Sequence, residues 1–160
     1  MKVRFYGDNE IDKSKKSIFL AGPTLRGEIA RTWRDEAVEI LEMLGFDGEV
    51  YAPESKSQVV EDDILTYNGV IDWELTRQDH ANIILFWVPR DLVKLPAFTT
   101  NVEFGYRLKS GKVVYARPDN APKTKYLDAL YEMEYGIKPF SKLEEALKHC
   151  VNTLNNEISF

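Results

Sequence analysis

The chain is poor in the residues that form disulfides and metal sites. Its one cysteine, Cys150, excludes an internal disulfide and falls on the apolar side of the last predicted helix, which favours an inert core thiol. Only two histidines, His80 and His149, are present, and they form no ligand cluster with the cysteine. We therefore expect no metal site and no cofactor.

An excess of positive charge and long apolar runs are also missing. The net charge is −5 and the pI about 5.2, which argues against binding to polymeric nucleic acid or to an anionic membrane. No apolar run reaches the roughly 18 residues of a membrane span, and the first residues lack the apolar core of a signal peptide. We expect a cytoplasmic protein that does not contact a membrane.

The sequence does contain a regular alternation of short apolar strands and amphipathic helices. Its 160 residues, 44% of them hydrophobic, predict a single domain over 1–160 in which residues 1–16 are a candidate N-terminal arm. Strands are predicted near 17–21, 49–52, 82–88, 112–115 and 137–140, with helices near 33–44, 64–80, 100–109, 126–135 and after 141. This pattern favours an α/β fold: a flavodoxin-like, doubly wound, mostly parallel five-stranded sheet in the order 2-1-3-4-5, with helices on both faces.

The predicted strand order brings the loops after the first and third strands together, at the point where such sheets bind ligands. The second of these loops leads to Glu103, which we expect in the first turn of a helix. The positive end of the helix dipole would favour its ionised form there. Thr100 and Glu103 also have capping-box spacing, so a purely structural role stays open.

The loop after the first strand contains glycine but no known phosphate-binding motif. It has neither the Gly-Lys-Ser/Thr ending of a P-loop nor the dinucleotide pattern G-x-G-x-x-G. Gly22 fits either a tight turn or the close approach of a ligand. Arg26, Arg31 and Arg34 could hold a phosphate, and Trp33 and Trp87 could stack on a base. For at least two of the arginines a solvated surface position is the simpler interpretation, and for the tryptophans a place in the core.

A second acidic residue, Glu74, lies on the helix before the third strand. If that helix borders the crevice, Glu74 would point toward Glu103. Glycosyl transfer commonly uses such a pair of carboxylates, one attacking the anomeric carbon. Asp79, further along the helix, is interpreted as a solvated acid at the helix end.

Several segments, taken in order, resemble the nucleoside 2-deoxyribosyltransferase-like family. They are Ile18-Phe19-Leu20-Ala21-Gly22-Pro23, Trp33-Arg34-Asp35-Glu36-Ala37, Trp73-Glu74, Ile84-Leu85-Phe86-Trp87-Val88-Pro89 and Asn101-Val102-Glu103-Phe104-Gly105. The resemblance runs from Ser17 to about Val151. It implies an enzyme that cleaves the N-glycosidic bond of a deoxynucleoside and transfers 2-deoxyribose between nucleobases.

The resemblance also implies roles for individual residues. Glu103 would attack the sugar C1′ and form a covalent glutamyl-deoxyribosyl intermediate, from which a second base takes the sugar with retained configuration. Glu74, where the family more usually has aspartate, would bond a sugar hydroxyl. The implied substrate-binding residues are Ala21, Gly22, Pro23, Thr24, Arg26, Trp33, Trp87, Thr100 and Asn101.

One departure from the family leaves the reaction open. The position six residues before Glu103 is Ala97, where transferases have an aspartate that meets the base and related monophosphate hydrolases have a serine that meets phosphate. Thr99, Thr100 or Asn101 could substitute in either role. The alternatives to transfer are therefore an N-glycosidase acting on a nucleoside or its 5′-monophosphate, and a non-catalytic nucleotide-binding module.

The expected partners are small molecules, a nucleoside or nucleotide and a free base, together with further copies of this chain. The family completes its pocket with residues from a neighbouring subunit. Tyr126, Tyr131 and Tyr135 also give one late helix more aromatic surface than the core requires, and such surface is enriched at interfaces. We therefore expect a homo-oligomer, a dimer or larger.

Overall fold

The computed structural model describes residues 1–24, 31–55 and 67–156. Its strands are β1 (Lys2–Arg4), β2 (Ser17–Ala21), β3 (Glu49–Tyr51), β4 (Ile83–Trp87) and β5 (Val113–Ala116). Its helices are α1 (Trp33–Met43), α2 (Tyr67–His80), α3 (Phe98–Arg107), α4 (Lys125–Tyr135) and α5 (Leu143–Asn156), and a 3-10 turn follows α3. The start of the helix predicted from residue 64 lies outside the described residues.

The five strands form one parallel sheet in the order β1-β3-β2-β4-β5. The run β3-β2-β4-β5 is the predicted order 2-1-3-4, so the flavodoxin-like α/β fold is confirmed. The predicted fifth strand at 137–140 is wrong beyond one parallel bridge between Ala116 and Phe140, in which the Phe140 N–H donates to the Tyr115 carbonyl and the Phe140 carbonyl accepts from the Arg117 N–H. The opposite edge is formed by β1, from the segment for which the sequence suggests an arm.

Side chains of the central strands alternate between two covered faces of the sheet. Ile18, Leu20 and Leu85 pack against α1 and α5, which we call the α1/α5 face. Phe19 and Phe86 point the other way, against residues of α2, α3 and α4, which we call the α2/α3/α4 face. The sheet therefore has helices on both sides, as predicted.

Helix α3 begins two residues earlier than predicted. The chain leaves Pro96 through Ala97, whose left-handed backbone (φ 59°) makes it the N-cap, so the first helical residue is Phe98. Thr100 is consequently inside the helix, and the predicted capping box is wrong. Glu103 lies in the second turn instead of the first, further from the positive end of the dipole than expected.

Two smaller features of the described residues bear on function. Cys150 is fully buried on the α1/α5 face and burial raises the pKa of its thiol far above the ordinary range, which confirms the expectation of an inert core thiol. Among the helices in 1–24, 31–55 and 67–156, none is both long and apolar enough to cross a membrane.

Candidate active site

Two half-buried carboxylates lie on adjacent helices of the α2/α3/α4 face. Glu74 projects from α2 and Glu103 from α3. Burial raises the pKa of Glu103 to about 7, and the negative charge of Glu74 is the second cause of the increase. Helix α2 thus places Glu74 close enough to Glu103 for its charge to raise the pKa of Glu103.

The direction of the Glu103 shift corrects the electrostatic part of the sequence prediction. The helix dipole was expected to favour the ionised carboxylate. Instead, because the pKa of Glu103 is about 7, this side chain is protonated in roughly half of the molecules at neutral pH. The dipole is weak here because Glu103 is in the second turn, and loss of hydration outweighs it.

Among the residues that the structure describes, one side chain donates a hydrogen bond to Glu103. Gln78 of α2 donates Nε2–H to Glu103 Oε2 at 2.9 Å, and Gln78 Oε1 accepts a bond from Arg107 Nε at 2.7 Å. No described residue donates a hydrogen bond to the other oxygen, Oε1. Sequence reasoning did not select Gln78, because a glutamine inside a helix has no pattern that distinguishes it from a surface residue.

Glu74 is held by a residue from the N-terminal segment. The hydroxyl of Tyr6, which follows β1, donates a short hydrogen bond to Glu74 Oε1, and the Tyr6 ring packs edge-on against Trp73 at 5.1 Å. Burial raises the pKa of Glu74, while the Tyr6 bond and the charge of Arg34 oppose that increase. The pKa of Tyr6 is raised well above its usual value by burial and by Glu74, so the phenol keeps its proton and acts as a donor.

The segment that carries Tyr6 is fixed to the rest of the molecule at several points. Arg4 pairs with Glu49 of β3 at 2.6 Å and with Asp8 at 3.1 Å. The Asp8 carbonyl accepts bonds from Trp73 Nε1 at 2.9 Å and from Arg77 at 3.0 Å. Residues 4–8 therefore lie against α2 and contact Glu74, a long-range contact that no local pattern in the sequence indicates.

Arg34 supports the loop after β2 from beneath. It is buried and donates to the carbonyls of Leu20 (3.0 Å) and Gly22 (2.8 Å) and to the Thr24 hydroxyl (2.6 Å). Its charge also lowers the pKa of Glu103 and of Glu74, so the guanidinium is a fixed positive charge behind the site. Arg34 is therefore a buried residue that positions the loop, and not a solvated surface arginine.

Gly22 is needed because the backbone of a neighbouring strand is so close. A Cβ at this position would lie 2.2 Å from the carbonyl oxygen of Trp87, and its φ of +151° is one that other residues rarely adopt. The ends of β2 and β4 are therefore in direct contact, which confirms that these two loops begin side by side. Trp33 borders the same place and donates its Nε1–H to the Pro23 carbonyl at 3.0 Å.

The other predicted binding residues are placed as follows. Ala21 and Pro23 are buried at the end of β2, and Trp87 packs in the core of the α1/α5 face, the simpler of its two interpretations. Thr100 is buried inside α3, and Asn101 Oδ1 accepts a short bond from Arg90. Arg26 lies outside the described residues.

A parallel α/β sheet with a pair of half-buried carboxylates beyond its strand ends is an arrangement suited to enzymes that break glycosidic bonds. The sequence model of the family described as nucleoside 2-deoxyribosyltransferase like matches residues 15–121. The chain therefore belongs to this family, which suggests a nucleoside-processing enzyme. No match to a curated protein is found. The matched range includes Glu74, Gln78 and Glu103 and leaves Tyr6 outside it.

Proposed function

We propose that this protein transfers 2-deoxyribose between nucleobases through a covalent intermediate on Glu103. The observation that carries the proposal is the electrostatic coupling of two half-buried carboxylates on α2 and α3: the charge of Glu74 raises the pKa of Glu103, and Gln78, one turn beyond Glu74, donates to Glu103 Oε2. Retaining glycosidases use two carboxyl groups about 5–5.5 Å apart, one as nucleophile and one in support. Membership of the family supports the same chemistry.

In the proposed first step the ionised carboxylate of Glu103 attacks C1′. Its Oε2 is occupied by Gln78, so Oε1 forms the new bond as the C1′–N bond breaks and its electron pair leaves with the base. A partly desolvated carboxylate whose pKa is about 7 is a stronger nucleophile than a fully hydrated one. The departing base takes up a proton from solvent. A second base then attacks C1′ with a ring nitrogen, releases the proton of that nitrogen to solvent and expels the Glu103 carboxylate, so the configuration is retained overall.

Glu74 has a supporting role in this proposal. Its Oε1 is occupied by Tyr6, and the remaining oxygen is available to accept a bond from a sugar hydroxyl. Its negative charge also favours the positive, oxocarbenium-like transition state at C1′. Replacing Glu74 by Gln keeps the shape and removes the charge, so turnover should fall by about 100-fold.

Transfer and hydrolysis differ in what attacks the intermediate. Ala97 supplies no acid for the leaving base or bond for a phosphate, so a nucleoside or 5′-monophosphate N-glycosidase remains the second candidate. The test is to incubate the protein with a deoxynucleoside, with and without a foreign base, and to separate the products by chromatography. Exchanged nucleoside supports transfer, and free deoxyribose in equal amount under both conditions supports hydrolysis. Ligand binding without any product would support the non-catalytic nucleotide-binding module.

We further propose that the protein works as a homo-oligomer. The expectation that three tyrosines of α4 form an exposed surface is corrected by the structure. Tyr131 is fully buried and Tyr135 stacks on it at 5.0 Å within the same subunit, whereas Tyr126 is exposed. Helix α3 supplies other support. Its outer face exposes Phe98 and Tyr106, together with Val102 between them, on the helix that carries Glu103. Light scattering at micromolar concentration tests this, since an active monomer of 18.5 kDa would contradict it.

A further inference from the structure

Gln78 is a buried side chain, 1% exposed, whose amide lies between Glu103 and Arg107. It is one helical turn beyond Glu74 on α2, so the same helix carries both. We propose that Gln78 is a positioning residue: oriented by Arg107, it fixes the carboxylate plane of Glu103 and decides which oxygen is free to attack. The catalytic part of this inference rests on the proposed function, whereas the positioning of the carboxylate does not.

Chemistry determines the orientation of the Gln78 amide. A guanidinium has only N–H donors, so the amide atom that faces Arg107 Nε at 2.7 Å must be the carbonyl oxygen. The amide N–H₂ therefore faces Glu103, 2.9 Å from Oε2. A rotated amide would put two donors together at one end and two acceptors at the other, which neither end tolerates when buried. Gln78 thus acts as a donor to Glu103 and favours its ionised form.

Arg107 is itself fixed from several directions. Its side chain is 11% exposed, and it donates to the Leu75 carbonyl at 3.1 Å as well as to Gln78. It also pairs with Asp79, but that carboxylate is 69% exposed and lies on the solvent side. The bond to a backbone carbonyl of α2 holds the guanidinium without Asp79, so loss of Asp79 should leave Gln78 in place. Asp79 is therefore a natural control.

The charged groups around Glu103 come from four parts of the fold. Glu74 of α2 raises the pKa of Glu103, while Arg34 of α1 and Arg107 of α3 lower it. Tyr6, from the segment after β1, also lies within the field of Glu103. Gln78 is uncharged, and its hydrogen bond opposes the increase that burial causes in the pKa of Glu103. Removing the amide should therefore shift the Glu103 titration upward, an effect that a merely space-filling residue would not have.

The test compares Gln78→Leu with Gln78→Glu in the full chain. Gln78→Leu removes both bonds of the amide. Gln78→Glu keeps an acceptor for Arg107, which protects the fold, and places a second negative charge beside Glu103. The carboxyl carbons of glutamate-labelled protein are titrated by NMR, with Glu103→Gln used to assign the signal. Asp79→Asn is the matched control, since it loses the exposed ion pair and leaves the Gln78 amide intact.

We expect the Glu103 midpoint to rise by about half a pH unit or more in Gln78→Leu, to rise further in Gln78→Glu, and to stay unchanged in Asp79→Asn. In transfer assays kcat of both Gln78 variants should fall about tenfold or more with little change in KM, because carboxylate geometry is lost and not binding surface. An unchanged midpoint in both variants, or a shifted midpoint with unchanged kcat, would overturn the positioning role. A wild-type protein inert on all nucleosides would overturn the proposed function, whereas the shifted midpoint would still establish the hydrogen bond.

Discussion

The two faces of the sheet are built on the same strands and cover very different groups. On the α1/α5 face, residues such as Leu85 and Leu147 form a core that is mostly aliphatic. On the α2/α3/α4 face the core is aromatic, with Phe104 in contact with Phe86 at 5.4 Å and with Tyr115 at 5.0 Å. Near the carboxyl ends of the strands this aromatic layer gives way to Glu74 and Glu103.

The difference shows how one small domain separates stability from chemistry. The aliphatic face gains free energy from burial with few polar groups to satisfy. The other face buries two carboxylates whose pKa values are both raised, so keeping them ionised opposes folding. Acids with perturbed pKa values are enriched at functional sites, and the stability that they remove must come from the rest of the fold.

The largest expected effect is the loss of turnover when Glu103 is replaced. Glu103→Gln keeps the shape of the side chain and removes the attacking anion, so we expect at least a ~100-fold loss of kcat. Steady-state exchange assays measure it. Glu144→Gln, an exposed acid on α5, is the matched control and should behave as wild type. If Glu103→Gln retains wild-type turnover, this carboxylate is not the nucleophile.

A substitution in the core of the α1/α5 face should instead lower stability and leave turnover almost unchanged. Leu147 is fully buried on α5, so Leu147→Ala should lower the free energy of unfolding by about 2–5 kcal/mol through lost contacts and a cavity. Activity per folded molecule should stay close to wild type. Urea denaturation measures the loss, and Leu92→Ala, at a residue 52% exposed, should change stability by less than about 0.5 kcal/mol. A strong loss of kcat in folded Leu147→Ala would mean that the two faces are not separable.

The buried charge of Glu103 should make stability depend on pH. Its folded pKa of about 7 lies above the ordinary 4.5, so the native state binds the proton more tightly and loses stability as pH rises from 4.5 through 7. At pH 8 Glu103→Gln should therefore be more stable than wild type by about 1–3 kcal/mol, with the difference vanishing below pH 4.5. Chemical denaturation at both pH values tests this. If Glu103→Gln is less stable than wild type at pH 8, burial of the ionised Glu103 carboxylate does not destabilise the native state.

The smallest expected effect concerns the backbone at the start of α3. Ala97 has φ 59°, a left-handed conformation that disfavours a Cβ, so Ala97→Gly should stabilise the protein by about 0.5–1 kcal/mol. Thermal unfolding measures the change. The paired control is Ala129→Gly in the exposed part of α4, where glycine should destabilise by about the same amount. An equal loss of stability in both variants would show that the left-handed backbone conformation of Ala97 does not destabilise the protein.

Local patterns predicted the fold more completely than the site. The apolar runs that become β2 and β4 and the start of α1, which Thr32 caps, are encoded by neighbouring residues, and each of the three elements was predicted close to its observed position. The predicted strand near 137–140 did not form beyond one bridge, so this short apolar stretch was a weaker signal than the longer runs of β2 and β4.

The missed parts of the site depend on distant contacts. Glu74 and Glu103 were selected for their position relative to strands and for the family resemblance, and in the structure the charge of Glu74 acts on Glu103. Tyr6 and Gln78 were not selected, since their roles depend on partners 68 and 25 residues away. The perturbed pKa of Glu103 was expected in the wrong direction, because burial cannot be read from a helix position.

The most direct test of the central claim is to isolate the covalent intermediate. The protein is mixed with a deoxynucleoside without an acceptor base, quenched in acid within the first turnovers, digested and analysed by mass spectrometry. We expect the peptide containing Glu103 to gain the mass of one deoxyribosyl group. Adding a second base should remove this group, and Glu103→Gln should never acquire it. Release of free base with no sugar on Glu103, or sugar on a different residue, would contradict the proposed intermediate.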